Sequence, residues 1–114
     1  MADLDIAGAI AELRSTFFDI KSVLDAERLQ ADIDRLSEAA GAPDLWDDPE
    51  AAQKVTSELS HAQTDLRRIT ETEQRIDDLE VLVEMANEER DEATQNEAKK
   101  ELKGLQKVIS ELEV

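Results

Sequence analysis

The longest stretch with a regular apolar pattern runs from Pro49 to Asn87 and reads PEAAQKVTSELSHAQTDLRRITETEQRIDDLEVLVEMAN. Apolar residues recur along it mostly at alternating steps of three and four, the pattern of helices packed side by side. They are Val55, Leu59, Ala62, Leu66, Ile69, Ile76, Leu79, Val83 and Ala86. Thr72 and Glu73 interrupt this stripe, and polar residues in such a position usually fix the register of packed helices. We therefore predict one long helix over 49–87, whose apolar face other helices must cover.

Three shorter stripes with the same spacing flank the long one and predict helices over roughly 4–23, 26–40 and 91–112. Their apolar residues are Ile6, Ile10, Leu13, Phe17, Ile20 and Leu24, then Leu29, Ile33, Leu36 and Ala40, then Ala98, Leu102, Leu105, Ile109 and Leu112. Because the connections are short, neighbouring helices should run antiparallel. The predicted fold is all-α, an elongated antiparallel helical bundle or hairpin of about four helices. Residues 1–114 should form a single helical domain with Leu66 and Leu105 buried.

The breaks between the stripes carry helix-capping signals. Asp25 and Asp48 stand where an N-cap carboxylate accepts backbone N–H groups, and Pro49 suits the first turn of a helix. Gly41 suits the position just past the end of the second helix. Residues 87–91 contain neither Gly nor Pro, so the last break has the weakest boundary signal.

Composition excludes several classes of function. The chain has no Cys and one His, His61, which excludes a thiol nucleophile, a Cys-ligated zinc site and a two-His metal site. The net charge of −16, from 29 acidic and 13 basic residues, argues against direct nucleic-acid binding, because phosphate contacts need Lys and Arg. No run approaches the roughly 18 apolar residues of a membrane span. The acidic start lacks the basic leader of a signal peptide, so we expect a cytoplasmic protein without membrane association.

One turn between helices contains the candidate site residues. Asp44, Asp47, Asp48 and Glu50 place four carboxylates close together, but a calcium loop needs six to eight oxygens and usually a Gly. Helix capping accounts for Asp48 and Glu50, so we predict no metal ligand, cofactor-binding residue or catalytic residue. Trp46, the single Trp, is predicted to be mostly buried and to plug the end of the bundle. An exposed, partner-binding Trp is the alternative.

The segment PDLWDDPEAAQ, which begins at Pro43, resembles the N-terminal region of the bacterial peptide chain release factor 2 family. In that family a Pro-Asp-x-Trp-x-x-Pro segment joins two helices of the first domain. Here Pro43, Asp44, Trp46, Asp48 and Pro49 make up the corresponding structural turn motif. The order of helices matches the family over essentially the whole chain. The resemblance implies a part in translation termination, in which the full protein reads stop codons and triggers release of the nascent peptide.

The resemblance further implies that this part of the protein has a non-catalytic role. The family carries Ser-Pro-Phe in its decoding loop and Gly-Gly-Gln in its catalytic loop, and neither tripeptide occurs here. We therefore expect an isolated first domain that is not an enzyme. The partners implied are the ribosome, through a protein at the stalk base of its large subunit, and the GTPase that recycles release factors. The sequence does not identify the contacting residues, but residues 43–88 carry a net charge of −9, which favours a basic protein surface.

Two other classes of protein stay open at this point. Small secreted helical hairpins of the Trp-x-Gly type are also acidic and free of Cys, and they also carry Trp between two helices. Asp48 stands where that motif has Gly, which weakens this interpretation. The second class is a self-associating coiled-coil adaptor, because stripes that pack within one chain could also pack between two chains. The sequence therefore leaves homodimerisation open.

Overall fold

The computed structural model describes residues 2–113 and is helical almost throughout. Its four α-helices are α1 (Ala2–Leu24), α2 (Ala26–Ala40), α3 (Pro49–Glu89) and α4 (Glu92–Leu112), with a 3₁₀ helix over Pro43–Asp47. No β-strand occurs within residues 2–113. The all-α class predicted from the hydrophobic spacing is confirmed, and the helix ends lie within two residues of the predicted ones.

An aspartate precedes each α-helix after the first. Asp25 Oδ1 accepts the backbone N–H of Arg28 at 3.1 Å, and Asp91 Oδ1 accepts that of Ala93 at 3.1 Å. Asp48 caps α3 in the same way. Side-chain acceptors of this kind satisfy amide groups that have no partner inside the helix. The predicted capping roles of Asp25 and Asp48 are confirmed, and Asp91 supplies the cap in the break with the weakest sequence signal.

The chain folds as two compact units, and the first combines three helical segments. It comprises α1 up to Val23, α3 from Glu71 onward, and α4. Its buried apolar residues are Ile6, Ile10, Leu13, Phe17, Ile76, Leu79, Ala86, Ala98, Leu102, Leu105 and Ile109. Ile76, Leu79 and Leu105 are its largest fully buried side chains. The predicted burial of Leu105 is therefore confirmed.

Ion pairs in this first unit show how α1 and α3 align. Arg14 Nη2 lies 2.5 Å from Asp77 Oδ1, and Lys21 Nζ lies 2.7 Å from Glu73 Oε2. The later residue of α1 thus pairs with the earlier residue of α3, so these two segments run antiparallel. Thr72 is buried beside this alignment, and α3 continues through it without a break. The polar position in the stripe is therefore accommodated without interrupting the helix.

The second unit, Leu24–Thr70, combines α2 with the first part of α3. Its buried apolar residues are Leu36, Ala52, Ala62 and Ile69. Leu66 is only half-buried, so the prediction that it is buried is wrong. The second unit has two helical segments to bury its apolar residues, whereas the first unit has three. Within residues 2–113, no helix is long and apolar enough to cross a membrane.

Replacing Arg90 by glycine should raise the free energy of unfolding by about 0.5–1 kcal/mol. Arg90 joins α3 to α4 with φ 54, and it is exposed. A Cβ in this left-handed conformation lies too close to the following carbonyl oxygen, and glycine has no Cβ. Urea denaturation measures the change, with Arg90→Ala as the control that retains the Cβ. Equal stability of Arg90→Gly and Arg90→Ala would contradict the assignment of strain to this residue.

Candidate functional site

The turn between α2 and α3 holds all five residues of the predicted motif, and we call Pro43–Pro49 the Trp46 turn. Pro43 opens its 3₁₀ helix. The backbone N–H of Leu45 donates to the Ala42 carbonyl at 3.2 Å, and that of Asp48 donates to the Leu45 carbonyl at 3.1 Å. These bonds give the turn an internal backbone structure, so its side chains project from fixed positions.

Asp48 joins the Trp46 turn to α3. Its Oδ1 accepts the backbone N–H groups of Glu50 at 3.2 Å and Ala51 at 3.3 Å. Pro49, at the first position of α3, has no N–H that would need a partner. One carboxylate therefore satisfies two amide groups at the start of a 41-residue helix. Glu50 adds a second negative charge in the first turn, where the helix dipole favours it.

Trp46 is 59% exposed, so the prediction that it is mostly buried is wrong. Its indole Nε1–H donates to the Ala40 carbonyl oxygen at 3.2 Å, which anchors the ring to the C-terminal end of α2. Only α2 and α3 flank the turn in its unit, and two helices leave one side of so large a ring uncovered. Leu45 takes the half-buried position instead. The sequence signal for exposure is the acidic neighbourhood of Trp46, with Asp44 two residues before it and Asp47 directly after it.

Charge is balanced differently in the two units. In the first unit Arg14 bonds both Asp77 and Glu80, and Arg75 Nη2 lies 2.8 Å from Glu101 Oε1. The described salt bridges include none from Asp44, Asp47, Asp48 or Glu50. No Lys or Arg occurs between Leu36 and Gln53, a stretch that carries five acidic residues. The Trp46 turn is therefore a site of uncompensated negative charge.

The other residues considered from the sequence are the possible metal ligands and His61. Within residues 2–113, no group of three or more His, Cys, Asp or Glu side chains is placed to hold a metal ion. His61 is exposed on α3. The strongest electrostatic effect lies outside the turn, where the hydrogen bond from Arg14 holds the pKa of the Glu80 carboxyl below its usual range. The same pairing, with Glu80 first and Asp77 second, raises the pKa of Arg14.

Replacing Glu80 by glutamine should lower the free energy of unfolding at neutral pH by less than about 1 kcal/mol, because the pair is partly exposed. The pKa of Glu80 is lower in the folded chain than its ordinary 4.5. Its contribution is therefore present above about pH 4.5 and is lost as the pH falls through the folded-state value. Chemical denaturation between pH 7 and pH 3 checks this, with Glu84→Gln as the control. A deficit of Glu80→Gln that persists unchanged at the lowest pH would refute the assignment.

The native emission of Trp46 should be red-shifted, and acrylamide should quench it readily. The ring is mostly in contact with solvent, so unfolding should change both properties little. Because the chain has one Trp, the signal needs no deconvolution. A blue-shifted native spectrum that moves to the red on unfolding would instead restore the buried arrangement predicted from the sequence.

The family model and the similar curated proteins point to the same family. The family model described as the PCRF domain matches residues 29–114. The chain is 53% identical over 114 residues to peptide chain release factor 2 of Pseudarthrobacter chlorophenolicus and 51% identical to that of Streptomyces avermitilis, covering all of this chain and 31% of each relative. It is 53% identical over 110 residues to peptide chain release factor 2 of Beutenbergia cavernae, covering 96% of this chain and 29% of the relative. The chain thus spans about a third of the length of these curated relatives.

Proposed function

The chain belongs to the PCRF domain family, and from this membership we propose that residues 1–114 form the non-catalytic N-terminal domain of a stop-codon-recognising peptide chain release factor. The observation that carries the proposal is the 53% identity to a peptide chain release factor 2 over all 114 residues. The relatives favour this function over a secreted Trp-x-Gly hairpin or a coiled-coil adaptor. The proposed process is translation termination in the cytoplasm.

The proposed role is contact and positioning. Hydrolysis of the ester that links a peptide to its transfer RNA requires a positioned water and groups that stabilise the transition state. Neither Ser-Pro-Phe nor Gly-Gly-Gln, the tripeptides of the family's decoding and catalytic loops, occurs in the sequence. Within each unit, the buried positions of the helices are instead mostly Leu, Ile and Ala side chains. Such packing suits a rigid element that orients other parts of a factor.

We propose two partners for this element: a protein at the stalk base of the large ribosomal subunit, and the GTPase that recycles release factors. Protein surfaces are favoured over ribosomal RNA because a net charge of −16 opposes contact with phosphates. Residues 43–88, which carry a net charge of −9, suit a basic protein surface.

A pull-down with the immobilised 114-residue chain tests the proposal. We expect it to retain a large-subunit protein or the release-factor GTPase at about 0.05 M salt and to retain less at about 0.3 M, since salt screens charge pairs across an interface. Protein-free ribosomal RNA should not be retained.

The matched control is Ile76→Asp, which puts an unpaired carboxylate at a fully buried position and should unfold the chain. The net charge of this variant is nearly the same as that of the unsubstituted chain. Its retention therefore measures binding that depends on charge and not on the folded structure. The absence of retention of either candidate at both salt concentrations would contradict the proposed contact role, as would equal retention by the unfolded control.

A further inference from the structure

Trp46 combines exposure with a fixed position. Its ring is 59% exposed, yet its single polar atom already donates to the Ala40 carbonyl oxygen at 3.2 Å. The apolar surface of the ring is therefore available to a partner, and no polar atom of the ring needs a new acceptor. Because the ring is already held, its ordering adds little to the entropic cost of a contact. Tryptophans that meet these conditions are typical of residues that dominate the affinity of protein interfaces.

The charge around the ring specifies the partner. Asp44 and Asp47 flank Trp46 and are exposed, and no described salt bridge involves either. The nearest basic residues along the chain are Arg35 and Lys54, on either side of a stretch with five acids. A cationic side chain placed over the indole would gain a cation–π contact and would be attracted by the carboxylates at Asp44 and Asp47, within two residues of Trp46 along the chain. Phosphate groups would be repelled by the same carboxylates.

We propose that the Trp46 turn is the part of the chain that docks on a basic protein surface, where an Arg or Lys side chain stacks on the indole between Asp44 and Asp47. This inference rests on the proposed function and names the residues of its protein contact. The other two acids of the turn region serve the fold, since Asp48 caps α3 and Glu50 lies in its first turn. Asp44 and Asp47 are therefore the charges left for a partner.

Co-sedimentation of the 114-residue chain with purified large ribosomal subunits tests this proposal. Trp46→Ala should weaken binding about 30-fold, the loss expected for an interface Trp. Phe18→Ala is the matched control, because Phe18 is a comparably exposed ring, at 69%, in the other unit. The variant Asp44→Asn with Asp47→Asn should weaken binding about 3- to 10-fold at low salt. Asp19→Asn with Asp65→Asn changes the net charge equally at exposed sites away from the turn and should change binding less than about 2-fold.

A second readout reports the contact itself. The native Trp46 emission should shift to the blue and become less accessible to acrylamide when large subunits are added. Binding of the unsubstituted chain that is unaffected by Trp46→Ala and by Asp44→Asn with Asp47→Asn would overturn the docking assignment and leave the proposed function intact. If Asp19→Asn with Asp65→Asn weakened binding as much as Asp44→Asn with Asp47→Asn, net charge alone would explain the loss. That result would also overturn the docking assignment. No binding of the unsubstituted chain would contradict the proposed function and this inference together.

Discussion

Replacing Leu105 by alanine should lower the free energy of unfolding by about 2–5 kcal/mol, the range for a buried leucine whose site collapses only partly. Leu105 is fully buried in the three-segment core of the first unit. Leu66 provides the matched control, because it occupies the same kind of position in a stripe but is only half-buried. Urea denaturation followed by circular dichroism measures both variants.

Leu66→Ala should cost clearly less than Leu105→Ala, because less apolar surface returns to water and little cavity forms. If the two losses were equal, the difference between a three-segment and a two-segment core would have no energetic consequence. If Leu105→Ala left the denaturation midpoint unchanged, the assignment of the α4 stripe to the core would be contradicted.

Asp48→Ala should lower the free energy of unfolding by about 0.5–2 kcal/mol, the usual cost of losing an N-cap. Its Oδ1 is the acceptor for the N–H groups of Glu50 and Ala51, which would otherwise rely on water. Asp48→Asn keeps an acceptor oxygen and should retain most of the stability. The same denaturation experiment applies to both variants.

Asp44→Ala is the control for this second prediction, because Asp44 makes no described side-chain hydrogen bond and lies two residues from Trp46. It should change the stability by less than about 0.5 kcal/mol. A loss for Asp44→Ala as large as that for Asp48→Ala would show that the charge of the turn, rather than the cap, stabilises the start of α3.

The helices could be predicted from the sequence because their signals are local. Alternating apolar spacing and a capping aspartate at Asp25 and Asp48 depend on residues within a turn or two of each other. The same applies to the absence of strands from residues 2–113, since β-branched and aromatic residues are few. Arg90 shows the limit of such signals: it ends α3 in a left-handed conformation that its residue type does not favour.

The two wrong predictions are the burial of Leu66 and the burial of Trp46. In both cases burial depends on how many helices pack around the residue. Leu66 and Leu105 lie in stripes with the same spacing, yet Leu105 is fully buried in the unit of three helical segments and Leu66 is half-buried in the unit of two. Trp46 is large and apolar, which favours burial, but its turn is flanked by two helices and its indole N–H finds an acceptor at the edge. The spacing of apolar residues along one helix does not show how many other helices pack against it. The acceptor for the indole N–H is the backbone carbonyl oxygen of Ala40. Every residue has such an oxygen, so the residue type gives no sign of this hydrogen bond.

The placement of charge is consistent with the proposed contact role. Three basic side chains of the first unit, Arg14, Lys21 and Arg75, form ion pairs between its helical segments. The Trp46 turn keeps its carboxylates free of described ion pairs and holds an indole ring in solvent. A structure that only needed stability would gain from a Lys or Arg in this stretch, since charge repulsion would fall.

A termination assay tests whether this chain contacts the ribosome without catalysing peptide release. Ribosomes stalled at a stop codon with a labelled nascent peptide would be mixed with the 114-residue chain, and the retained chain and the released peptide would be measured in the same sample. We predict that the chain is retained on the ribosomes and that no peptide is released at any concentration of the chain. Release of the labelled peptide by this chain alone would contradict the account.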